Sequence, residues 1–127
     1  MFDHYASPSY IQDGELYYFA HPYSENPDAN YLLALSRTSL LLRSGIKVIS
    51  PIVLSHYMAD SLTYSEWLEF DIEIMKRCDG IIVPDGWEQS GGCVFEIDFM
   101  IREGKPVFSY DQILISLGTF NTNNTKE

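Results

Sequence analysis

Short apolar runs alternate along this chain with longer segments whose apolar residues recur at helical spacing. Four of the runs have the length and the aromatic or β-branched content of buried strands. They are 15–20 (ELYYFA), 46–50 (IKVIS), 79–85 (DGIIVPD) and 106–110 (PVFSY). Strands that alternate with helices favour a parallel sheet covered on both faces, so an α/β fold is predicted.

The first predicted helix follows a polar loop, HPYSENPDAN, at residues 21–30. Asn26 followed by Pro27 is a start signal, because proline is favoured at the first helical position, where no N–H is needed. Gly45 is a typical residue just past a helix end. Between these signals, four residues recur along one face: Leu32, Leu35, Ser39 and Leu42.

Two further helices are predicted from their caps. The sequence TYSE at 63–66 has the form of a capping box and opens a helix that runs to the next strand. Another helix begins near Ser90 and ends at Gly104. The segment 52–62 is ambiguous, a loop that could contain one helical turn, and 111–117 (DQILISL) could be a last short helix.

These elements predict a single doubly wound (Rossmann/flavodoxin-like) parallel sheet of four to five strands, with helices on both faces. We expect the order 2-1-3-4, with strand 1 central. Ligands of such sheets bind beyond the strand C-termini where the order reverses, here at loops 21–26 and 85–92. The expected organisation is an N-terminal arm at 1–14, the α/β domain at 15–117 and a flexible polar tail at 118–127.

Composition and charge limit the classes of partner that the protein is expected to bind. The 127 residues are 46% hydrophobic and carry a formal net charge of −10. That charge argues against binding a nucleic acid polymer or an acidic membrane, although it allows a small nucleotide in a local pocket. No run approaches a membrane span of about 18 apolar residues, and no secretory signal is recognisable. Cys78 and Cys93 are expected to be free thiols in a cytoplasmic protein.

Several known signatures are missing from the sequence. It contains no G-x-G-x-x-G, no G-x-x-x-x-G-K-[ST] and no H-E-x-x-H, and its two cysteines lack metal-ligand spacing. No metal or organic cofactor is therefore expected.

Glu96 is the first candidate for chemistry, because it interrupts an apolar helical stripe. That stripe contains Cys93, Ile97 and Met100. A carboxylate there must be paired or must face a cleft. The alternative is an exposed edge position or a structural ion pair.

Asp71 makes a parallel case on the preceding helix. It shares a stripe with Trp67, Ile74 and Cys78. Two carboxylates that converge on one cleft are the usual groups for breaking a glycosidic bond. The alternative is that Asp71 belongs to a solvated face with Glu69 and Glu73.

The residues Ser90, Gly91 and Gly92 precede Glu96. Ser90 can cap the helix, and the two glycines leave its first amides accessible to an anion or a polar oxygen. The alternative is an ordinary loop and cap without a ligand.

Taken together, three segments resemble the nucleoside 2-deoxyribosyltransferase-like superfamily, in its small bacterial and phage branch. The segments are YYFAHPYS, GIKVISPIVLSH and WLEFDIEIMKRCDGIIVPDGWEQSGGCVFEIDFMIREGKPV, within about residues 16 to 109. The resemblance implies a doubly wound fold and cleavage of the N-glycosidic bond of nucleosides or nucleotides. It also implies a homodimer or larger oligomer, which the aromatic arm (Phe2, Tyr5, Tyr10) would favour if it lay exposed.

The resemblance assigns roles to five residues. Glu96 matches the nucleophile, Asp71 the acid near the nucleobase and Tyr18 the aromatic residue that ends the first strand. Ser90 matches a residue that contacts the sugar or its 5′ substituent, and His56 resembles a histidine of the nucleotide-hydrolase branch. By their own pattern, Tyr18 could equally be a core residue and His56 a satisfied loop histidine.

This chain departs from the family in its first loop, which contains no Arg or Lys where the hydrolase branch binds a 5′-phosphate. A phosphate would need Ser24, Ser90 and backbone amides, helped by a protonated His21 or His56. Trp87 could be a lid over a base or an exposed aromatic residue. The remaining expected pocket residues on the two ligand-side loops are His21, Tyr23, Ser24 and Asp85.

The sequence thus favours an enzyme that cleaves or transfers the N-glycosidic bond of a (deoxy)nucleoside or nucleoside 5′-monophosphate through a Glu96 nucleophile. The alternative is a non-catalytic nucleotide-binding protein, a sensor or a sequestering protein, on the same fold.

Overall fold

The computed structural model describes residues 2–125, and its centre is a parallel sheet of four strands. The strands are β1 (Tyr17–Phe19), β2 (Val48–Ile49), β3 (Gly80–Val83) and β4 (Val107–Ser109). Their order is β2-β1-β3-β4, and all three neighbouring pairs are parallel. The predicted fold class and strand order are confirmed.

Five α-helices connect and flank the strands. They are α1 (Pro27–Arg43), α2 (Pro51–Ser55), α3 (Tyr64–Arg77), α4 (Gly91–Arg102) and α5 (Tyr110–Thr125). Short 3-10 turns follow α2 at His56–Ser61 and precede α4 at Trp87–Gln89. The ambiguous segment after β2 is therefore a short helix and a 3-10 turn. No helix in the described part of the chain is long and apolar enough to cross a membrane.

The core has two halves, one on each face of the sheet, because successive side chains of a strand point in opposite directions. Tyr18 packs with residues of α3 and α4, among them Met75 and Ile97. Tyr17 and Phe19 pack on the other face, in a cluster that includes Leu41 of α1. Helices thus cover both faces, as a doubly wound sheet requires.

Local chemistry sets the ends of α3. Thr63 and Glu66 form the predicted capping box, in which each side chain accepts a hydrogen bond from the other's backbone N–H. At the far end, the Lys105 ammonium donates to the carbonyl oxygens of Met75 and Lys76, both at 2.9 Å. These contacts fix the helix that carries Asp71.

The face of α1 singled out by its leucines is turned to solvent. Leu32, Leu35 and Leu42 are exposed, and the buried residues of this helix are Ala34, Thr38 and Leu41. On the buried face, Leu41 packs in the core cluster that contains Tyr17 and Phe19 of β1. Leucine spacing alone could not distinguish the two faces, since α1 has apolar residues on both.

The N-terminal arm packs on its own molecule. Phe2 and Tyr5 lie edge-on to each other at 4.7 Å between ring centroids, Phe2 contacts Trp87, and the Trp87 indole N–H donates to the Tyr5 hydroxyl at 2.7 Å. The Ala6 amide donates to the Val107 carbonyl oxygen beside β4. Phe2 and Tyr5 are thus covered within the molecule, whereas Tyr10 is exposed, and the homodimer stays a prediction.

The C-terminal helix α5 continues to Thr125. Secondary structure thus extends past residue 117, where the sequence predicted the domain to end. Residues 126 and 127 of the predicted tail lie outside the described residues.

Candidate active site

A cleft of about 660 Å³ opens at the C-terminal ends of β1 and β3, where the strand order predicted a ligand site. Its walls come from the loop after β1, from α2 and α3, and from the start of α4. The predicted site residues that line it are His21, Tyr23, Ser24, Asp71, Ser90, Gly91, Gly92 and Glu96.

Glu96 reaches the cleft from α4, while its stripe neighbours Cys93, Ile97 and Met100 are buried. The Tyr18 hydroxyl donates a hydrogen bond to Glu96 Oε2. Burial raises the pKa of the Glu96 carboxyl to about 8, against the opposing effect of the Tyr18 hydrogen bond. The charge of Asp71 raises this pKa further. Glu96 is therefore a half-buried carboxyl with a hydroxyl partner, and it has no cationic partner among the described residues.

Asp71 faces the same cleft from α3, as the two helical stripes predicted. Burial raises the pKa of its carboxyl to about 6. Because the Asp71 charge acts on Glu96, the two carboxyls titrate as a coupled pair. Tyr18 itself is fully buried and contributes only its hydroxyl to the pair. It is thus both a core residue and a neighbour of the site.

The start of α4 presents backbone donors to the cleft. Ser90 is the N-cap, and its Oγ accepts from the Cys93 amide at 3.3 Å. Gly91 and Gly92 line the cleft, and their amides have no hydrogen-bond partner among the described residues. These amides and the Ser90 hydroxyl can donate to a polar oxygen of a ligand.

His21 is held as a neutral ring. It is buried, its Nδ1 lies 2.9 Å from the Pro22 carbonyl oxygen, and its Nε2 lies 2.9 Å from Arg37 Nη1. Burial is the main cause that lowers the pKa of this imidazole, and the Arg37 charge lowers it too. A carbonyl only accepts and a guanidinium only donates, so Nδ1 carries the proton. This arrangement does not favour the expected role of a protonated His21 in binding phosphate.

His56 lies behind the cleft wall. Its Nδ1 is 2.8 Å from the Tyr23 hydroxyl and its Nε2 is 3.3 Å from Asp28 Oδ1, while its ring stacks on Tyr31. Both ring nitrogens are engaged, and His56 is not among the residues that line the cleft. This arrangement does not favour direct substrate binding by His56, because Tyr23, its hydrogen-bond partner, is the residue that lines the cleft.

Asp85 and Trp87 lie outside the cleft. Trp87 is buried against the N-terminal arm, so it is neither a lid nor an exposed aromatic residue. Asp85 is exposed and its amide donates to Asp111 Oδ2 at 2.9 Å, at the start of α5. The reason is the positive φ of 85° at Gly86, which turns the chain so that Gly86 and Gln89 line the cleft instead.

Three aromatic or basic residues of the site were missed by the sequence analysis. Trp67 and Tyr64 line the cleft from α3, and the Trp67 indole N–H donates to the Ala59 carbonyl at 2.8 Å. Trp67 carried a signal, since it lies four residues before Asp71 on the same stripe. Arg37 carried none, because its contact with His21 joins α1 to the loop after β1.

Metal ligation has no evident site here. Among residues 2–125, no group of three or more His, Cys, Asp or Glu side chains could hold a metal ion.

Comparisons with known proteins agree with this fold. A family model described as "Domain of unknown function (DUF1937)" matches residues 16–112. No curated protein matches the chain. Solved structures that match include the 2-desoxiribosyltransferase from Leishmania mexicana, with a TM-score of 0.58 and 18% identity over 75% of this chain. The chain spans 63% of that protein's length. At this identity the likeness shows a shared fold.

Proposed function

Because the chain belongs to the family described as a domain of unknown function (DUF1937), and its fold is that of a deoxyribosyltransferase, we propose that it cleaves or transfers the N-glycosidic bond of a nucleoside or nucleoside 5′-monophosphate. The observation that carries the proposal is the carboxyl pair of Glu96 and Asp71 in one cleft, with Tyr18 donating to Glu96.

In the proposed reaction, ionised Glu96 attacks C1′ of the sugar as the bond from C1′ to the base nitrogen breaks. The electron pair of that bond goes to the base, and protonated Asp71 supplies the proton that makes the base a neutral leaving group. Water or a second base then attacks C1′ and frees Glu96, while Asp71 takes back the proton. The charge of Glu96 also stabilises the oxocarbenium-like transition state.

The test is base release from 2′-deoxynucleosides and their 5′-monophosphates, measured by chromatography. Glu96→Gln should abolish release, because it keeps the size of the side chain and removes the nucleophile. Asp98→Asn is the matched control, since it removes an exposed carboxyl from the same helix. Equal release by Glu96→Gln and the unaltered protein would exclude Glu96 as the nucleophile.

A second candidate is a nucleotide-binding protein without turnover, a sensor or a sequestering protein. It is favoured by the raised pKa of Glu96, about 8, because a carboxyl that is mostly protonated at neutral pH is a poor nucleophile. Binding seen in calorimetry together with no base release from any nucleoside, at pH values up to about 9, would favour this candidate over the enzyme.

A further inference from the structure

Three polar side chains at one wall of the cleft form a continuous series of polar contacts, in which the Asp28 end is exposed to solvent. The Tyr23 hydroxyl lies 2.8 Å from His56 Nδ1, and His56 Nε2 lies 3.3 Å from Asp28 Oδ1. They come from the loop after β1, from the 3-10 turn after α2 and from the first turn of α1. Of the three, Tyr23 lines the cleft.

The direction of this chain follows from what each group can donate. An ionised carboxylate only accepts and attracts an N–H, so the contact with Asp28 favours the proton on His56 Nε2. A neutral imidazole has one N–H, which leaves His56 Nδ1 as an acceptor. The Tyr23 hydroxyl must then donate its proton to His56. Its oxygen keeps only lone pairs for other partners.

Packing holds this arrangement in place. The His56 ring is stacked on Tyr31, with 4.2 Å between centroids and 12° between planes, and its side chain is only 10% exposed. The edge of Tyr57 closes another side of the ring at 5.0 Å. The Asn30 amide donates to the Tyr23 carbonyl oxygen at 3.2 Å and fixes the backbone there. A turn of the ring would therefore break several contacts at once.

We propose that Asp28 and His56 are positioning residues that make Tyr23 an acceptor toward the cleft, so that this wall selects a ligand O–H or N–H donor. For the N-glycosidic substrate proposed above, on which this assignment of the ligand rests, the donor is a sugar hydroxyl. A group that only accepts, such as fluorine, finds no partner at Tyr23.

His21 provides an internal contrast on the same loop. Its Nδ1 donates to the Pro22 carbonyl and its Nε2 accepts from Arg37, so its proton is on the opposite nitrogen from that of His56. Two histidines of one molecule should thus be opposite tautomers.

The first experiment needs no ligand. Nitrogen-15 NMR of the imidazoles at about pH 8.5, where free imidazole is neutral, distinguishes a protonated from an unprotonated ring nitrogen. We expect an Nε2–H tautomer for His56 and an Nδ1–H tautomer for His21, with the His56 signals identified by their loss in His56→Gln. An Nδ1–H tautomer at His56 would overturn the proposal, since Tyr23 would then donate toward the cleft.

The second experiment measures the selection itself, by calorimetry with 2′-deoxyadenosine and its 3′-fluoro and 5′-fluoro analogues, each lacking one hydroxyl. We expect at least one fluorine substitution to weaken binding about fivefold or more, as loss of a hydrogen bond does. In Tyr23→Phe and His56→Leu, the ratio of the dissociation constants of the fluoro analogue and 2′-deoxyadenosine should fall near one. His56→Gln, whose carbonyl can replace Nδ1 as acceptor, should retain it, and Tyr10→Phe, on the arm, is the matched tyrosine control.

If His56→Leu left this ratio of dissociation constants unchanged, the proposal would be overturned, even if Tyr23→Phe brought the ratio to one. If none of the nucleosides binds, the proposed substrate class fails, while the tautomers still decide whether Tyr23 is an acceptor. The two failures are therefore distinguishable.

Discussion

At the scale of single residues, Tyr17 and Tyr18 show how one step along a strand separates core from site. Both are fully buried in β1, yet they point to opposite faces of the sheet. The Tyr18 hydroxyl donates to Glu96, whereas the Tyr17 hydroxyl donates to Glu15 at 2.8 Å. Substitution of each by phenylalanine gives a matched pair, because the two changes remove the same atom from different surroundings.

The raised pKa values of the carboxyl pair predict the pH dependence of base release. In the proposed reaction, Glu96 must be ionised to act as the nucleophile, and Asp71 must keep its proton to act as the acid. With values of about 8 and about 6, the singly protonated pair predominates between those pH values. The reactive arrangement, with Glu96 ionised and Asp71 protonated, is a minor but constant fraction of the singly protonated pair. The rate of base release should therefore follow a bell-shaped pH profile with its maximum near neutral pH. A rate that rises steadily from pH 5 to pH 9 would contradict this assignment of acid and nucleophile.

Tyr18→Phe tests the same profile at its upper limb. The hydrogen bond from Tyr18 lowers the pKa of Glu96, so its loss should move that limb to higher pH and reduce the maximal rate. Substrate binding should change less, because the hydroxyl acts through Glu96. Tyr17→Phe should leave the profile unchanged. An unaltered upper limb in Tyr18→Phe would mean that Glu96 does not set it.

Ionisation of Glu96 should also destabilise the folded protein at alkaline pH. Its folded pKa, about 8, lies above the ordinary value of 4.5, so the folded state favours the protonated form. The contribution of the protonated carboxyl to the free energy of unfolding is fully present below about pH 4.5 and is lost as the pH rises through 8. Glu96→Gln cannot ionise, so its melting temperature should exceed that of the unaltered protein by more at pH 9 than at pH 5. Asp98→Asn, on the exposed side of α4, should give a smaller difference between the two pH values.

At the scale of elements, the helices best predicted from the sequence are those whose ends carry local chemistry. The capping box at Thr63 and Glu66 and the cap at Ser90 are contacts within one turn, so spacing alone located α3 and α4. Helical periodicity then placed Asp71 and Glu96 on inward stripes. The buried face of α1 was not predictable in this way, because that helix has apolar residues on both its buried and its exposed faces.

The contacts that sequence reasoning missed join distant parts of the chain. Trp87 with Tyr5 spans 82 positions, and Arg37 with His21 joins a helix to a loop. No periodicity or cap contains that information. These two contacts decide two features of the site, since the first holds Trp87 outside the cleft and the second keeps His21 neutral.

Gly91, the first residue of α4, should show a conflict between stability and binding. It has ordinary helical backbone and nothing lies within 4 Å of a Cβ built there. Gly91→Ala should therefore stabilise the protein, by up to about 1 kcal/mol on helix propensity. The added methyl group would crowd the free amides and weaken nucleoside binding. Urea unfolding and calorimetry on one variant measure both effects, and unchanged binding would mean that the ligand does not approach these amides. Gly118→Ala, in α5, is the control for propensity alone.

At the scale of the whole molecule, the sheet order and the two-faced core followed from the alternation of strands and helices, while assembly did not. Several aromatic residues beside the cleft are exposed, with Tyr57 at 84% and Tyr64 at 82%. A homodimer or larger oligomer would cover such residues. Light scattering at high micromolar concentration should give a mass above that of one chain of 14.6 kDa. A monomeric mass would contradict the prediction.

The charge of the molecule predicts which substrate the cleft prefers. The net charge is −10, and the cleft is lined by Glu25, Asp71 and Glu96 without any Lys or Arg among its described lining residues. A neutral His21 supplies no compensating charge. The amides at the start of α4 attract an anion by only about 0.3–1 kcal/mol at an exposed site, less than an arginine clamp contributes.

We therefore expect a 2′-deoxynucleoside to bind more tightly than its 5′-monophosphate by about tenfold, a difference of about 1.4 kcal/mol. Competition between the two for the same site measures this ratio. Because exposed charges are screened by salt, the preference should shrink when the ionic strength is raised from about 0.01 M to about 1 M, and Glu25→Gln should shrink it at low salt. Asp13→Asn, an exposed charge on the arm, is the control. If the monophosphate instead binds over tenfold more tightly, and Ser90→Ala removes that preference, then the Ser90 hydroxyl and the glycine amides hold a phosphate against the surrounding carboxylates.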